Sequence, residues 1–266
     1  MSLPAVRARK RFGQNFLVDT VVIEQILSAV SATPADHVVE IGPGHGAITR
    51  GLAATGARLT LIEIDRDLIA GLLASVVCHD PARITLLNQD VLTVDFRALT
   101  GPLRIVGNLP YNISTPVLFQ LLDAASCIQD IHVMLQKEVV QRITAVAGDS
   151  AYGRLGVMIS AVADTEALID VPPESFHPAP KVDSGVVCIR PCAARRSRIR
   201  DLTHLGNLVR AAFSQRRKTL RNNLKGVVTP ALFEALEIDP GARPETLPVE
   251  SFVTLSNALV DTADVS

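Results

Sequence analysis

Short runs of apolar and β-branched residues alternate along this chain with longer segments whose apolar positions recur every three to four residues. The runs are "HVVEIG" (37–42), "RLTLIEID" (58–65), "RITLLNQD" (83–90), "LRIVGN" (103–108) and "IHVMLQ" (131–136). Their length and β-branched content predict strands. The segments between them, "AITRGLAATG", "RDLIAGLLASVV" and "STPVLFQLLDAA", predict helices. Such alternation specifies an α/β fold: a parallel sheet with helices on both faces. The strands are apolar almost throughout, as burial on both faces requires. "YGRLGVMISAVA" continues with a helical pattern, and "EALIDV" and "GVVCIR" predict two further strands that close the sheet. Composition then changes abruptly at "PCAARRSRIR" (191–200), which reads as a linker. The first domain is therefore expected over 1–194. "THLGNLVRAAF", "LRNNL", "PALFEALEI" and "VESFVTLSNALV" predict a small all-helical domain over 195–266.

The chain has 266 residues, 48% of them hydrophobic, and a mean hydropathy of +0.29, enough to bury a large core and a small one. No stretch reaches the ~18 uninterrupted apolar residues of a membrane span. Arg7, Arg9, Lys10 and Arg11 are not followed by an apolar run, so no secretory signal is expected and the expected compartment is the cytoplasm. The cysteines, Cys78, Cys127, Cys188 and Cys192, include no C-x-x-C pair. Reduced, mostly buried thiols and no metal are expected. The net charge of −1 conceals a segregation. Residues 1–18 hold four basic and no acidic residues, and residues 195–225 hold ten basic and one acidic. These segments together carry +13 and the remainder −14. Two basic blocks on an acidic body suit a polyanionic partner held at particular places, although solvated faces are the plainer reading.

The candidate chemistry lies where the strands end. In "VVEIGPGHGAIT", Gly42, Gly44 and Gly46 stand between a strand and a helix, where backbone can approach a ligand beside a helix N-terminus. The G-x-G-x-G spacing departs from the dinucleotide fingerprint and is weak alone. Glu63 ends the next strand, where a carboxylate can accept two hydrogen bonds from a ribose diol. Asp90 ends the third strand and Asn108 the fourth. Each by itself has a turn-forming explanation. Together they put polar groups at the carboxyl edge of four successive strands, where open α/β sheets bind ligands, and they point to a nucleoside-type ligand.

"GNLPYNIST" (107–115) places a polar amide, a rigid ring and an aromatic at that edge. The exocyclic amine of a base is a poor nucleophile because its lone pair is delocalised into the ring. Two acceptors aimed at its N–H groups draw it toward tetrahedral geometry. The Asn108 side-chain oxygen and a backbone carbonyl next to Pro110 suit that task, with Pro110 fixing φ beforehand. Tyr111 offers a face for a base to stack on. An Asx-type turn with a buried tyrosine accounts for the same residues without any chemistry.

"GPGHGAIT", "EIDRDL", "NQDVL" and "GNLPYNIST" resemble the class I S-adenosylmethionine-dependent methyltransferases that act on amines. "KRFGQNFLVD", "LQKEVVQRI", "PPESFHPAPKVDSGVV" and "AFSQRRKTLRNNL" narrow the resemblance to the KsgA-type small-subunit ribosomal RNA adenine dimethyltransferases. That resemblance implies a Rossmann-like, mostly parallel seven-stranded sheet with a helical C-terminal domain, and S-adenosylmethionine as methyl donor. It implies dimethylation at N6 of two adjacent adenosines in the 3′-terminal hairpin loop of 16S ribosomal RNA, within the small ribosomal subunit. Apart from the resemblance, a monomer is expected. It also implies residue roles. Asn15 and Leu17 contact the cofactor, Gly42 lies under its methionine part, Glu63 takes the ribose hydroxyls and Asp90 the adenine amine. Asn108 borders cofactor and target, Leu109 supplies the second carbonyl, and Tyr111 and Phe176 cover the two faces of the flipped adenine. Read from the residues alone, Phe176 is a core side chain.

Arg216, Arg217, Lys218 and Arg221 stand at near-helical spacing in the second basic block, where they suit RNA phosphates. Two competing functions remain at this level: a large-subunit adenine methyltransferase of the antibiotic-resistance type, and an assembly factor whose binding outweighs its catalysis.

Overall fold

The computed structural model describes residues 14–76 and 79–263. The basic residues Arg7, Arg9, Lys10 and Arg11, and Cys78, lie outside them. The described residues fall into two compact units. One comprises the chain up to Val140 together with Glu166–Pro191, the other Gln141–Thr165 together with the chain from Cys192 onward.

The first unit begins with a two-residue strand β1 (Phe16–Leu17) and helix α1 (Thr20–Val30). Strand and helix then alternate: β2 (His37–Ile41), α2 (Thr49–Ala54), β3 (Arg58–Ile62), α3 (Arg66–Ser75), β4 (Ile84–Leu87), β5 (Leu103–Asn108), α4 (Ser114–Asp123), β6 (Ile128–Gln136) and α5 (Lys137–Thr144). After α6 (Arg154–Ser160) come β7 (Ala163–Val171), β8 (Phe176–His177) and β9 (Ser184–Pro191). Seven strands form one sheet in the order β4-β3-β2-β5-β6-β9-β7, and β1 pairs with β8 in a separate two-stranded ribbon. The pairs from β4 to β6 are parallel, whereas β9 runs antiparallel to β6.

Helix starts follow local chemistry. Asp19 Oδ1 accepts the Val21 and Val22 N–H groups and so caps α1, and the Asp65 side chain accepts the Asp67 N–H at the start of α3. The same capping explains two differences from the sequence reading. The strands expected over 58–65 and 83–90 end at Ile62 and Leu87: the Glu63 N–H still reaches the Leu87 carbonyl, but beyond it the Glu63 and Asp90 side chains take backbone N–H groups and turn the chain away from the ladder. The ribbon β1/β8 escaped the sequence reading, since two residues show no periodicity.

Strand order reverses at β2: β3 lies on one side of it and β5 on the other. The carboxyl ends of β2 and β5 therefore border the crevice that such a switch opens. Their approach is close. Ile41 is in register with Gly107, and a Cβ on Gly107 would stand 2.5 Å from the Ile41 carbonyl oxygen. Glycine at 107 is thus required by sheet packing just before the polar residues of interest. Beneath the crevice the core is closed by Val38, Leu59, Leu61, Val106 and Met134, all buried.

The second unit contains α6, a short helix α7 (Ala193–Arg196), α8 (Leu202–Ala212), α9 (Leu220–Asn223), α10 (Pro230–Ala235) and α11 (Val249–Ala263). The stretch expected to be a linker is built into it. Arg195 donates to the carbonyls of Ser160 and Ala163 at 3.0 and 2.8 Å, and Ile199 is buried. Residues 141–165 belong with these helices: Tyr152 donates to the Leu247 carbonyl at 2.8 Å, and the Gly148 N–H donates to the Glu245 carbonyl. Their apolar pattern continued that of the first unit, so composition gave no sign of this grouping.

Candidate active site

A cavity of about 280 Å³ opens at the carboxyl edge of the sheet, over the switch between β2 and β5. Asn15, Leu17, Gly42, Glu63, Asp90, Asn108, Leu109, Pro110 and Tyr111 all line it. These nine come from five separate stretches of sequence, and the fold brings them to one place.

The turn after β2 is the floor. Gly42 and Gly44 adopt φ of +66° and +58°, a region costly for residues with a Cβ. A Cβ on Gly44 would also press on the Phe16 ring at 3.0 Å. Phe16 packs against His45 with ring centroids 4.3 Å apart, so β1 lies over the glycine turn. Glu63 is 5% exposed, and both its oxygens take backbone donors: Oε1 from Asp65 N–H at 2.8 Å and Oε2 from Gly44 N–H at 3.1 Å. Burial raises its pKa, and these hydrogen bonds partly oppose the shift. Asp90 uses Oδ1 to accept the Leu92 N–H at 2.9 Å, capping the turn after β4.

Asn108 ends β5. Its Nδ2 donates to the Asn15 carbonyl at 2.8 Å. Turning the amide over would set Oδ1 against that carbonyl oxygen, so the contact fixes Oδ1 as the exposed acceptor. Leu109 buries its side chain and donates its N–H to the Met134 carbonyl at 3.2 Å. Pro110 and the Ile113 N–H close a turn, and the half-buried Tyr111 bonds through its hydroxyl to Ser184 Oγ at 2.7 Å. Burial lifts the phenol pKa above its ordinary value, so the ring stays neutral.

Phe176, expected to cover the second face of the base, is packed in the core. It is 3% exposed, sits in the hydrophobic core with Leu17, Val22 and Val186, and is not among the residues lining the cavity. The cause is the ribbon. Leu17 is the register partner of Phe176, so their side chains share a face. The Val18 and Asp19 N–H groups hold the Ser175 carbonyl just before it.

Glu40 also lines the cavity and has no part in the sequence reading. Glu40, inside β2, is 2% exposed, and its Oε2 has no protein hydrogen-bond partner among the described residues. Burial, opposed by the nearby Thr49 hydroxyl and reinforced by the Glu63 carboxylate, pushes its pKa up to about 7. The signal was present: a lone carboxylate in the apolar run "HVVEIG".

The basic residues also differ from expectation. Arg216, Arg217 and Lys218 lie on an exposed turn between α8 and α9, not on a helix, and Arg221 lies on α9. Arg216 donates to the Ser150 carbonyl at 2.9 Å and serves structure to that extent. Among the described residues no group of three or more His, Cys, Asp or Glu side chains is placed to hold a metal ion, and no helix is long and apolar enough to cross a membrane.

The family model for ribosomal RNA adenine dimethylase matches residues 5–261. The chain belongs to this family. It is 52% identical over 254 residues to ribosomal RNA small subunit methyltransferase A of Chromobacterium violaceum, covering 95% of this chain and 96% of that one. With the protein of the same name from Neisseria gonorrhoeae it shares 49% identity over 257 residues, 97% and 98% of the two chains. A dimethyladenosine transferase from Plasmodium falciparum has the same fold, with a TM-score of 0.83, 23% identity and coverage of 93% and 98%. The 23S rRNA methyltransferase ErmE matches with a TM-score of 0.73, 27% identity and coverage of 92% and 100%. This adenine dimethylase is thus an enzyme that draws its methyl groups from S-adenosylmethionine. The cavity suits that cationic cofactor. It pairs a buried, unpartnered carboxylate oxygen at Glu40 with a glycine turn whose backbone is open to close approach.

Proposed function

We propose that this dimethylase places two methyl groups on N6 of each of two adjacent adenosines in the 3′-terminal hairpin loop of 16S ribosomal RNA, acting on the small subunit in the cytoplasm as a monomer. The identity of about half the residues with relatives named for small-subunit rRNA supports the substrate. The observation that carries the chemistry is the amide of Asn108, held with its oxygen outward beside Pro110 and Tyr111.

When bound, S-adenosylmethionine supplies an electrophilic methyl group. Glu63 keeps lone pairs for a ribose diol after accepting the Gly44 and Asp65 N–H groups. Asp90 keeps one oxygen that would accept from an adenine amine, and Gly42, Asn15 and Leu17, which line the same cavity, would hold the methionine portion. The target adenine leaves its loop, which costs least for a base already unpaired. It rests on Tyr111, a contact of about 1–3 kcal/mol. Asn108 Oδ1 and the Leu109 carbonyl accept from its amine and turn the lone pair toward the methyl. The proton leaves after transfer, when N6 is positively charged, so these groups orient the amine rather than remove its proton. The sheet-bearing unit carries this chemistry, and the basic segment of 195–266, through Arg216, Arg217, Lys218 and Arg221, holds RNA phosphates.

The test is transfer of labelled methyl from S-adenosylmethionine to unmodified small subunits, followed by nucleoside analysis. N6,N6-dimethyladenosine at two adjacent positions is the expected product. The likeness to ErmE favours one alternative, an adenine of large-subunit RNA. Label entering purified large subunits and not small ones would establish that instead.

A further inference from the structure

Ser184 belongs to the stretch "KVDSGVV", and the proposed chemistry leaves it without a task. It opens β9, is fully buried, and sits in register with Gln136 of β6. Its Oγ meets the Tyr111 hydroxyl at 2.7 Å, across 73 residues of sequence. The backbone on both sides of this contact is fixed. Next to Ser184, the Lys137 N–H donates to the Asp183 carbonyl at 2.9 Å. Around Tyr111, the Ile113 N–H closes on the Pro110 carbonyl and Ser114 Oγ donates to the Tyr111 carbonyl at 3.1 Å.

We infer that Ser184 is a positioning residue for the reaction: it pins the Tyr111 hydroxyl and so holds the ring at the angle on which the target adenine stacks. The inference rests on the reading of Tyr111 as the stacking surface. A tyrosine ring has two rotatable bonds. With the backbone held by Pro110, the remaining large motion is a swing about Cα–Cβ, which carries the hydroxyl through an arc. A bond from the far end of the ring to a strand of the sheet removes that swing. Rotation of the ring about its own long axis leaves the hydroxyl in place, so the pin sets where the platform stands. Preorganisation of this kind is worth most when the incoming group is an adenine that must also meet Asn108. It also accounts for a polar side chain fully buried at the head of β9, since its hydroxyl is satisfied by Tyr111.

Ser184→Ala and Tyr111→Phe each delete one end of the bond. Each is expected to lower kcat/KM on unmethylated small subunits by about tenfold, the scale of one hydrogen bond. The double variant is expected to fall no further than either single one, because both remove the same interaction. Cofactor affinity is expected to stay at the wild-type value in all three. The chain has two tyrosines, at 111 and 152, so 3-fluorotyrosine labelling gives two 19F signals that Tyr111→Phe assigns. Ser184→Ala is expected to move or broaden the Tyr111 signal and leave that of Tyr152. Wild-type kcat/KM in Ser184→Ala overturns the inference, as does a loss of activity with the Tyr111 signal unmoved. Should Ser184→Ala fail to fold by circular dichroism, Tyr111→Phe at a half-exposed position decides alone, and wild-type turnover there sinks the role. Tyr111→Ala removes the ring itself. Undiminished transfer by that variant rejects the stacking reading, whereas impaired Tyr111→Ala beside unimpaired Tyr111→Phe keeps the stacking and rejects the pin.

Discussion

Replacing Glu40 with Gln tests the electrostatics of the cavity without touching its shape. The carboxyl is 2% exposed and one oxygen has no protein partner, so its ionised form is poorly solvated. Its pKa in the folded chain is about 7, against 4.5 for a free glutamate, with burial the leading cause. At about 1.4 kcal/mol per pH unit, this shift corresponds to about 3 kcal/mol. The sign follows from proton binding. A folded-state pKa above the unfolded one means that the folded chain holds the extra proton, so stability is greatest below pH 4.5 and is lost as pH rises to about 7. Above that, the full ~3 kcal/mol penalty stands. A neutral, isosteric Gln removes this contribution. Urea titrations at half-unit intervals from about pH 5 to 8, without cofactor, are expected to show Glu40→Gln more stable than wild type by about 3 kcal/mol at pH 8, the gap closing toward pH 5. Two parallel stability curves, or a variant less stable at pH 8, would refute the argument that Glu40 is ionised against a burial penalty.

Three further predictions concern the site and its surroundings. Asn108→Ala is expected to keep cofactor binding within a modest factor and lose most turnover, measured by calorimetry and single-turnover methyl transfer; wild-type-like transfer would remove the amide from the mechanism. Neutralising Arg217 and Lys218, which lie exposed on the turn after α8, should flatten the salt dependence of RNA binding by about 0.7 in log–log slope for each phosphate no longer neutralised. An unchanged slope places the RNA elsewhere. Phe176→Ala should cost about 3–5 kcal/mol of stability, as for any large core aromatic, read from urea midpoints. An unchanged midpoint together with abolished transfer would show that Phe176 serves the adenine and not the core.

The central strands were legible because both their faces are buried, which leaves apolar runs too regular to mistake, and because polarity returns where each strand ends. The same contrast located Gly42, Glu63, Asp90 and Asn108: every one marks a point where an apolar strand meets the ligand edge. Other features lack that contrast. Phe176 is apolar whether it packs in the core or under a base, and its direction is set by a two-residue ribbon with Leu17. Arg216, Arg217, Lys218 and Arg221 stand at near-helical spacing in sequence, but the chain turns through the first three between α8 and α9. Glu40 keeps its contrast, a charge inside an apolar strand, but its place within the strand and not at its end hides that it faces the ligand edge. Tyr111 shows how far the pattern reaches. "NLPY" makes the tyrosine conspicuous next to Pro110, but its partner Ser184 lies 73 residues away and is an ordinary serine by every local measure. Only the antiparallel return of β9 beside β6 brings the two hydroxyls together. The residues that meet the ligand were therefore visible from local sequence, whereas those that hold them in position depend on strand register and became visible only in the fold.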